Sequence, residues 1–169
     1  MRNVFEDGDV YFNTGDLMFR DKVGWFYWSD RTGDTFRWKG ENCSTSQVAS
    51  VISEVNGVFE CCVYGVLIPG CEGRCGMASI SLDASFTIES FDFDLLVKTQ
   101  KANLQSQAIV RFVRFLKEIP KTQTHKHQKS QLVKDGFQLG NENQVFFLTP
   151  NLKYERLTEG RYGELSWIL

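Results

Sequence analysis

The apolar periodicity of this chain changes its step at Gly57. Upstream, Val48, Val51, Ile52 and Val55 recur at i, i+3, i+4 and i+7, and Ser44-Thr45-Ser46 supplies hydroxyls just before them. That pattern predicts an amphipathic helix with a side-chain cap, closed by Asn56-Gly57. Downstream, Cys61 to Ile68 is one short apolar run ending at Pro69-Gly70, and Met77 to Leu82 alternates. Both read as strands. Phe91, Leu95, Leu96 and Leu104 mark a second helix, and Ile109 to Leu116, mainly apolar and including Arg111, returns to a strand. A polar, lysine-rich loop from Glu118 to about Lys129 leads into a short helix over Ser130–Lys134. Helices and strands interleaved in this order predict an α+β sandwich, with helices against a mostly three-stranded sheet.

The flanks are less regular. Residues 9–28 are rich in aromatics and punctuated by Thr14-Gly15-Asp16 and Asp21-Lys22-Val23-Gly24, which predicts two short strands joined by a turn, the second running through Trp25-Phe26-Tyr27-Trp28. Asp30 to Asp34 is a turn cluster and the expected boundary between two hairpin systems. Thr35 to Lys39 alternates as a strand and stops at Gly40. Near the end, Val145-Phe146-Phe147-Leu148 is expected to add an edge strand.

Bulk composition excludes several classes. A chain of 169 residues with 42% hydrophobic and 24% charged residues is globular, not disordered or fibrous. A net charge of -2 offers no global attraction to nucleic acid or to an anionic membrane. Fourteen Phe and four Trp are accounted for mainly by a core and half-buried strand faces. The five cysteines are odd in number and form no CxxC, and the two histidines, His125 and His127, lie far from them. No zinc site is expected, and reduced, buried thiols in a cytosolic setting fit better. The apolar runs are strand-sized, far short of the roughly 20 residues a membrane helix needs.

Four positions have the chemistry of a nucleotide site, and each also has an ordinary structural reading. Asp16, just after a glycine turn, suits the two vicinal hydroxyls of a ribose, or is a plain turn aspartate. Arg31 offers a guanidinium fork to phosphate or ribose oxygens, or pairs with Asp30 or Asp34. Gly40 permits close backbone approach or positive φ, as any turn glycine does. Lys126, among Lys121, His125, His127 and Lys129, can bring a cation to charge developing on a phosphate and carboxylate, or belongs to a solvated basic loop.

Taken jointly, these motifs are specific. Gly8-Asp9-Val10-Tyr11-Phe12-Asn13-Thr14-Gly15-Asp16-Leu17, then Asp30 through Asn42, then Val63-Tyr64-Gly65-Val66, Pro69-Gly70, Glu72-Gly73-Arg74 and Gly76-Met77-Ala78, with Pro120 through Lys126, resemble the carboxyl-terminal part of adenylate-forming enzymes. Within that superfamily the wording is similar to the fatty acid transport proteins, or very long-chain acyl-CoA synthetases, over roughly residues 8–137.

The resemblance implies a small α+β carboxyl-terminal domain, a three-stranded sheet with helices plus a β-hairpin, preceded by the last strands of the large domain. Its divisions would be residues 1–32 as the remnant of the AMP-binding domain, 33–137 as the carboxyl-terminal domain, and 138–169 as an extension. It implies ATP-dependent fatty acid–CoA ligation through acyl-AMP, with ATP (carrying Mg2+), CoA and a fatty acid as substrates. By position, Asp16 matches the ribose-binding aspartate, Arg31 the nucleotide-contacting arginine, Gly33 the hinge, Gly40 the glycine nearing the pantetheine channel, and Lys126 the catalytic lysine of adenylation. The full-length family implies a plasma or endoplasmic reticulum membrane location, whereas these residues alone read as cytosolic.

Departures are also visible. His125 stands where the wider superfamily has Gly, and the stretch from Leu104 to Val110 lacks the family's proline. The match thins after Gly136. The phosphate-binding loop and acyl tunnel occur nowhere in the 169 residues. The chain alone is therefore expected to be inactive as a ligase, contacting a large domain supplied elsewhere. The alternative is a non-catalytic remnant that binds a full-length relative through its first strands.

Overall fold

The computed structural model describes residues 1–31, 35–122, 127–139 and 144–167. The chain divides into two compact units, Met1–Asp34 and Thr35–Leu169.

In the first unit, β1 (Asp16–Arg20) and β2 (Phe26–Arg31) form an antiparallel hairpin in which Asp16 faces Arg31 and Arg20 faces Phe26. Asp21 organises its turn. Its carboxylate accepts the amides of Val23, Gly24 and Trp25 at 2.9, 2.8 and 2.9 Å, and the Tyr27 hydroxyl at 3.0 Å. The strand expected to begin near residue 9 begins at Asp16 instead, with only an isolated bridge, Arg2 to Val10, before it. Local capture of backbone by side chains competes with strand pairing there: Asn13 Oδ1 and Thr14 Oγ1 accept the amides of Gly15 and Asp16.

The second unit starts with a hairpin of β3 (Thr35–Trp38) and β4 (Glu41–Ser44). The short polar β4 has little strand propensity of its own; pairing of Cys43 with Phe36 holds it and completes the second hairpin expected after the Asp30–Asp34 turn. The first helix, α1 (Thr45–Ser53), follows at once, capped by Ser44, whose hydroxyl accepts the Gln47 amide at 3.2 Å. Next come β5 (Val58–Val66) and β6 (Cys75–Leu82), then α2 (Phe93–Asn103), capped by Asp92 on the Leu95 amide at 2.8 Å. The remainder is β7 (Phe112–Phe115), α3 (Lys129–Asp135), β8 (Gln144–Leu148), β9 (Tyr154–Arg156) and a 3-10 segment over Glu159–Trp167.

The α+β class stands, with a wider sheet than expected. It holds five strands in the order β5-β6-β7-β8-β9. Only β6 and β7 are parallel, and α2 makes the crossover that a parallel pair requires. The expected edge strand at Val145–Leu148 is flanked on both sides, by β7 and β9. Seven of eight residues of β6 are buried, the signature of a strand covered on both faces.

The core belongs entirely to the second unit: among the described residues, every buried apolar side chain lies at Phe36 or beyond. Four phenylalanines share one aromatic cluster, where Phe93 meets Phe91, Phe115, Phe146 and Tyr154 at centroid distances of 5.3, 5.8, 4.7 and 5.8 Å. Beneath it, Tyr154 donates to the Val110 carbonyl at 2.8 Å, and Gln100 bonds both Tyr154 and the Val110 amide. These buried polar groups of Gln100, Val110 and Tyr154 are thereby paired.

Candidate functional site

Asp16 and Arg31 come from sequence positions far apart and are cross-strand backbone partners at the open end of the β1–β2 hairpin. The turn leading into Asp16 is built by its own side chains. Gly15 has φ +73°, a left-handed conformation, and its amide is held by Asn13 at 2.9 Å. Asp16 is half-buried and makes a further interaction of its own. The described part of Arg31 is its backbone. Gly33 and Lys126 lie outside the described residues.

Gly40 forms the tip of the β3–β4 hairpin with Lys39. Their φ values are +83° and +49°, the double left-handed signature of a two-residue type I′ turn. Glycine relieves this strain at the second position, while Lys39 bears it at the first. A side chain at Gly40 would meet no heavy atom within 4 Å, so its backbone faces open space.

What aims this tip is a set of close approaches. A Cβ at Gly65 would lie 2.6 Å from Phe36 Cβ, and one at Gly76 would lie 2.8 Å from the Phe36 ring. Since Gly65 and Gly76 face each other across β5 and β6, they open a slot in which Phe36 sits fully buried. Two residues on, Trp38 pairs with Gly73, where a Cβ would approach the Arg37 carbonyl to 2.5 Å. The Arg74 amide donates to that same carbonyl at 2.7 Å. Mid-strand glycines mark close approach; this signal was present in Gly65 and Gly76, but their partner was not.

The lysine-rich loop is organised at its two ends. Lys121 and His127 form an isolated antiparallel bridge, and the Gln128 amide donates to the Pro120 carbonyl at 2.8 Å. Both bridge residues converge on Glu60 of β5: Lys121 Nζ lies 2.8 Å and His127 Nε2 2.9 Å from Glu60 Oε1. Partial burial pushes the Glu60 carboxyl up, but hydrogen bonds and charges from Lys121 and His127 outweigh it and hold the carboxyl below its ordinary range. Lys129 Nζ donates to the buried Thr45 hydroxyl at 2.9 Å, tying α3 to the start of α1. Sequence reasoning missed Glu60. A lone carboxylate leading into the apolar run of β5 was its only trace.

The described residues hold no cluster of three or more His, Cys, Asp or Glu able to bind a metal. No helix among them is long and apolar enough to cross a membrane.

Residues 47–126 match the AMP-binding enzyme C-terminal domain. Over 151 residues the chain is 42% identical to long-chain fatty acid transport protein 5 of Homo sapiens, covering 89% of this chain and 21% of that protein. The chain is thus similar to the carboxyl-terminal part of adenylate-forming enzymes. Among solved structures, the adenylate-forming fold recurs in Mycobacterium tuberculosis fatty acyl CoA synthetase, at 28% identity and TM-score 0.60 over 78% of this chain and 25% of that one. It recurs in o-succinylbenzoate CoA synthetase from Bacillus subtilis, in complex with its acyl-adenylate intermediate, at 26% identity and TM-score 0.63 over 76% of this chain and 25% of that one. This chain thus spans about a fifth to a quarter of the length of these adenylate-forming relatives.

Proposed function

We propose that this chain acts as the carboxyl-terminal portion of an ATP-dependent long-chain or very long-chain fatty acid–CoA ligase of the fatty acid transport protein type. The observation that carries this reading is the pairing of Asp16 with Arg31 and the open, left-handed Gly40 turn in a chain matching the AMP-binding enzyme C-terminal domain.

In this reading a fatty acid carboxylate oxygen attacks the α-phosphorus of ATP, and pyrophosphate, with its Mg2+, departs to leave acyl-AMP. The thiol of CoA then attacks the acyl carbonyl, and AMP leaves. Asp16 accepts hydrogen bonds from the ribose hydroxyls and Arg31 contacts the nucleotide. The Lys126 ammonium offsets charge that develops during the first step, when it is worth most. Gly33 is the hinge between half-reactions, and the Gly40 backbone approaches the pantetheine arm in the second. Residues 1–32 serve as the end of the large domain, 33–137 as the carboxyl-terminal domain, and 138–169 extend it. The fatty acid transport protein resemblance assigns the longer enzyme to the plasma or endoplasmic reticulum membrane.

The chain by itself is expected to lack ligase activity. Joined in frame to the remainder of the human relative, it is expected to form acyl-AMP, measured as pyrophosphate release. Lys126→Ala should then lower adenylation by roughly 100-fold or more, and wild-type rates in that variant would overturn the assignment.

A second reading, a non-catalytic remnant that binds a full-length relative, is favoured by one observation: Phe5, Phe12, Trp25 and Phe26 of the first unit are all more than 60% exposed. Co-purification with the relative and no gain of activity would select it.

A further inference from the structure

We propose that Glu60 is a positioning residue for adenylation, clamping both ends of the segment that carries Lys126. The proposal rests on the ligase reading above. Its observation is that one carboxylate oxygen, on a strand more than sixty residues away in sequence, meets Lys121 at 2.8 Å and His127 at 2.9 Å. Those two residues bracket the segment and pair with each other as an antiparallel bridge.

Three features make the contact a device and not a chance surface pair. Side chains of Glu60, Lys121 and His127 retain only 21, 33 and 26% of their exposure, so the triad is shielded on several sides and screened less than an open ion pair. Glu60 follows an irregularity in the β5–β6 register, where Phe59 is the extra residue; bulges of this kind re-aim the side chains beside them. Phe59 points outward at 70% exposure while Glu60 turns to the loop stem. Finally, the stem is fixed again at the next positions, through Gln128 Nε2 to the Lys121 carbonyl at 3.1 Å and Lys129 to Thr45.

A lysine that must reach a transient charge gains nothing from being near it unless its distance is set, since about 1 Å of misplacement can cost on the order of 100-fold in rate. Glu60 sets the two points from which the segment departs and returns. It touches neither nucleotide nor acyl group in this scheme and acts only through the loop.

Glu60→Gln keeps the shape of the side chain and removes its charge. Two arms separate this proposal from the reading beneath it. In the 169-residue chain, hydrogen exchange of the Gln128 amide is expected to quicken by roughly 10-fold in Glu60→Gln, with β6 amides unchanged and with Glu60→Asp close to wild type. In the fusion to the remainder of the human relative, Glu60→Gln is expected to lower the adenylation kcat by about 10- to 100-fold, with KM for ATP within about threefold, and Glu60→Asp to restore part of it. Unchanged Gln128 exchange overturns the clamp. Unchanged kcat in Glu60→Gln, beside a disabled Lys126→Ala, overturns the positioning role. Wild-type activity in Lys126→Ala overturns the role of Lys126 and the positioning role with it, and no activity in the unmutated fusion overturns the ligase reading, while the exchange arm still judges the clamp.

Discussion

At the scale of single residues, the Gly40 turn depends on a side chain four positions earlier and on two glycines far downstream. Phe36 occupies the slot between Gly65 and Gly76, and the cost of filling that slot is calculable in kind. A methyl at Gly65 would meet Phe36 Cβ at 2.6 Å and Arg74 Cβ at 3.0 Å, and neither atom is the free end of a flexible chain. Gly65→Ala is expected to destabilise the second unit by about 1–3 kcal/mol, read from its urea midpoint. In a Phe36→Gly background the same change should cost less, because the Cβ it meets is gone; equal costs would disprove the coupling. The residue types at the proposed nucleotide site were legible in the sequence, Asp16 and Gly40 among them. The supports were not, because Phe36 and Gly65 become neighbours only when β3 packs on the sheet.

At the scale of elements, helix α3 is held by its carboxyl end. Arg114, buried in β7, donates to the carbonyls of Asp135, Gly136 and Gln138 at 3.4, 2.6 and 2.9 Å, with the Asp135 carboxylate at 4.0 Å. The guanidinium thus satisfies carbonyls that a helix end leaves orphaned and favours the negative end of its dipole. Arg114→Lys has one nitrogen where Arg114 uses two, Nη2 on the three carbonyls and Nη1 toward the Asp135 carboxylate. We expect a loss of about 2–4 kcal/mol and early exchange of α3 amides by NMR; a stability loss under about 0.5 kcal/mol would remove Arg114 from this role. The helices themselves were legible, since α1 and α2 carry both a 3.6-residue apolar stripe and a polar cap. The interior place of β8 was not, since strand pairing is a property of two segments.

At the scale of the whole molecule, the two units differ in kind. The second contains every buried apolar side chain among the described residues, whereas the first exposes Phe5, Phe12, Val23 and Trp25. Hydrophobic burial is the main force opposing chain entropy, so the two should not be equally able to fold. Residues 35–169 expressed alone are expected to unfold in one cooperative transition, monitored by circular dichroism. A peptide of residues 1–34 should show none, and a cooperative transition in that peptide would contradict the assignment of the core.

By itself the sequence determined the order of helices and strands over residues 44–116 and the motifs shared with adenylate-forming enzymes. Those properties are local: they depend on periodicity, capping and residue type within short windows. Only the tertiary structure decided that the sheet has five strands, that two glycines admit Phe36 beneath the Gly40 turn, and that Glu60 joins Lys121 to His127. Each of these is a meeting between residues separated by many positions. No single window of sequence contains both partners, and the free energy that brings them together belongs to the packed core as a whole.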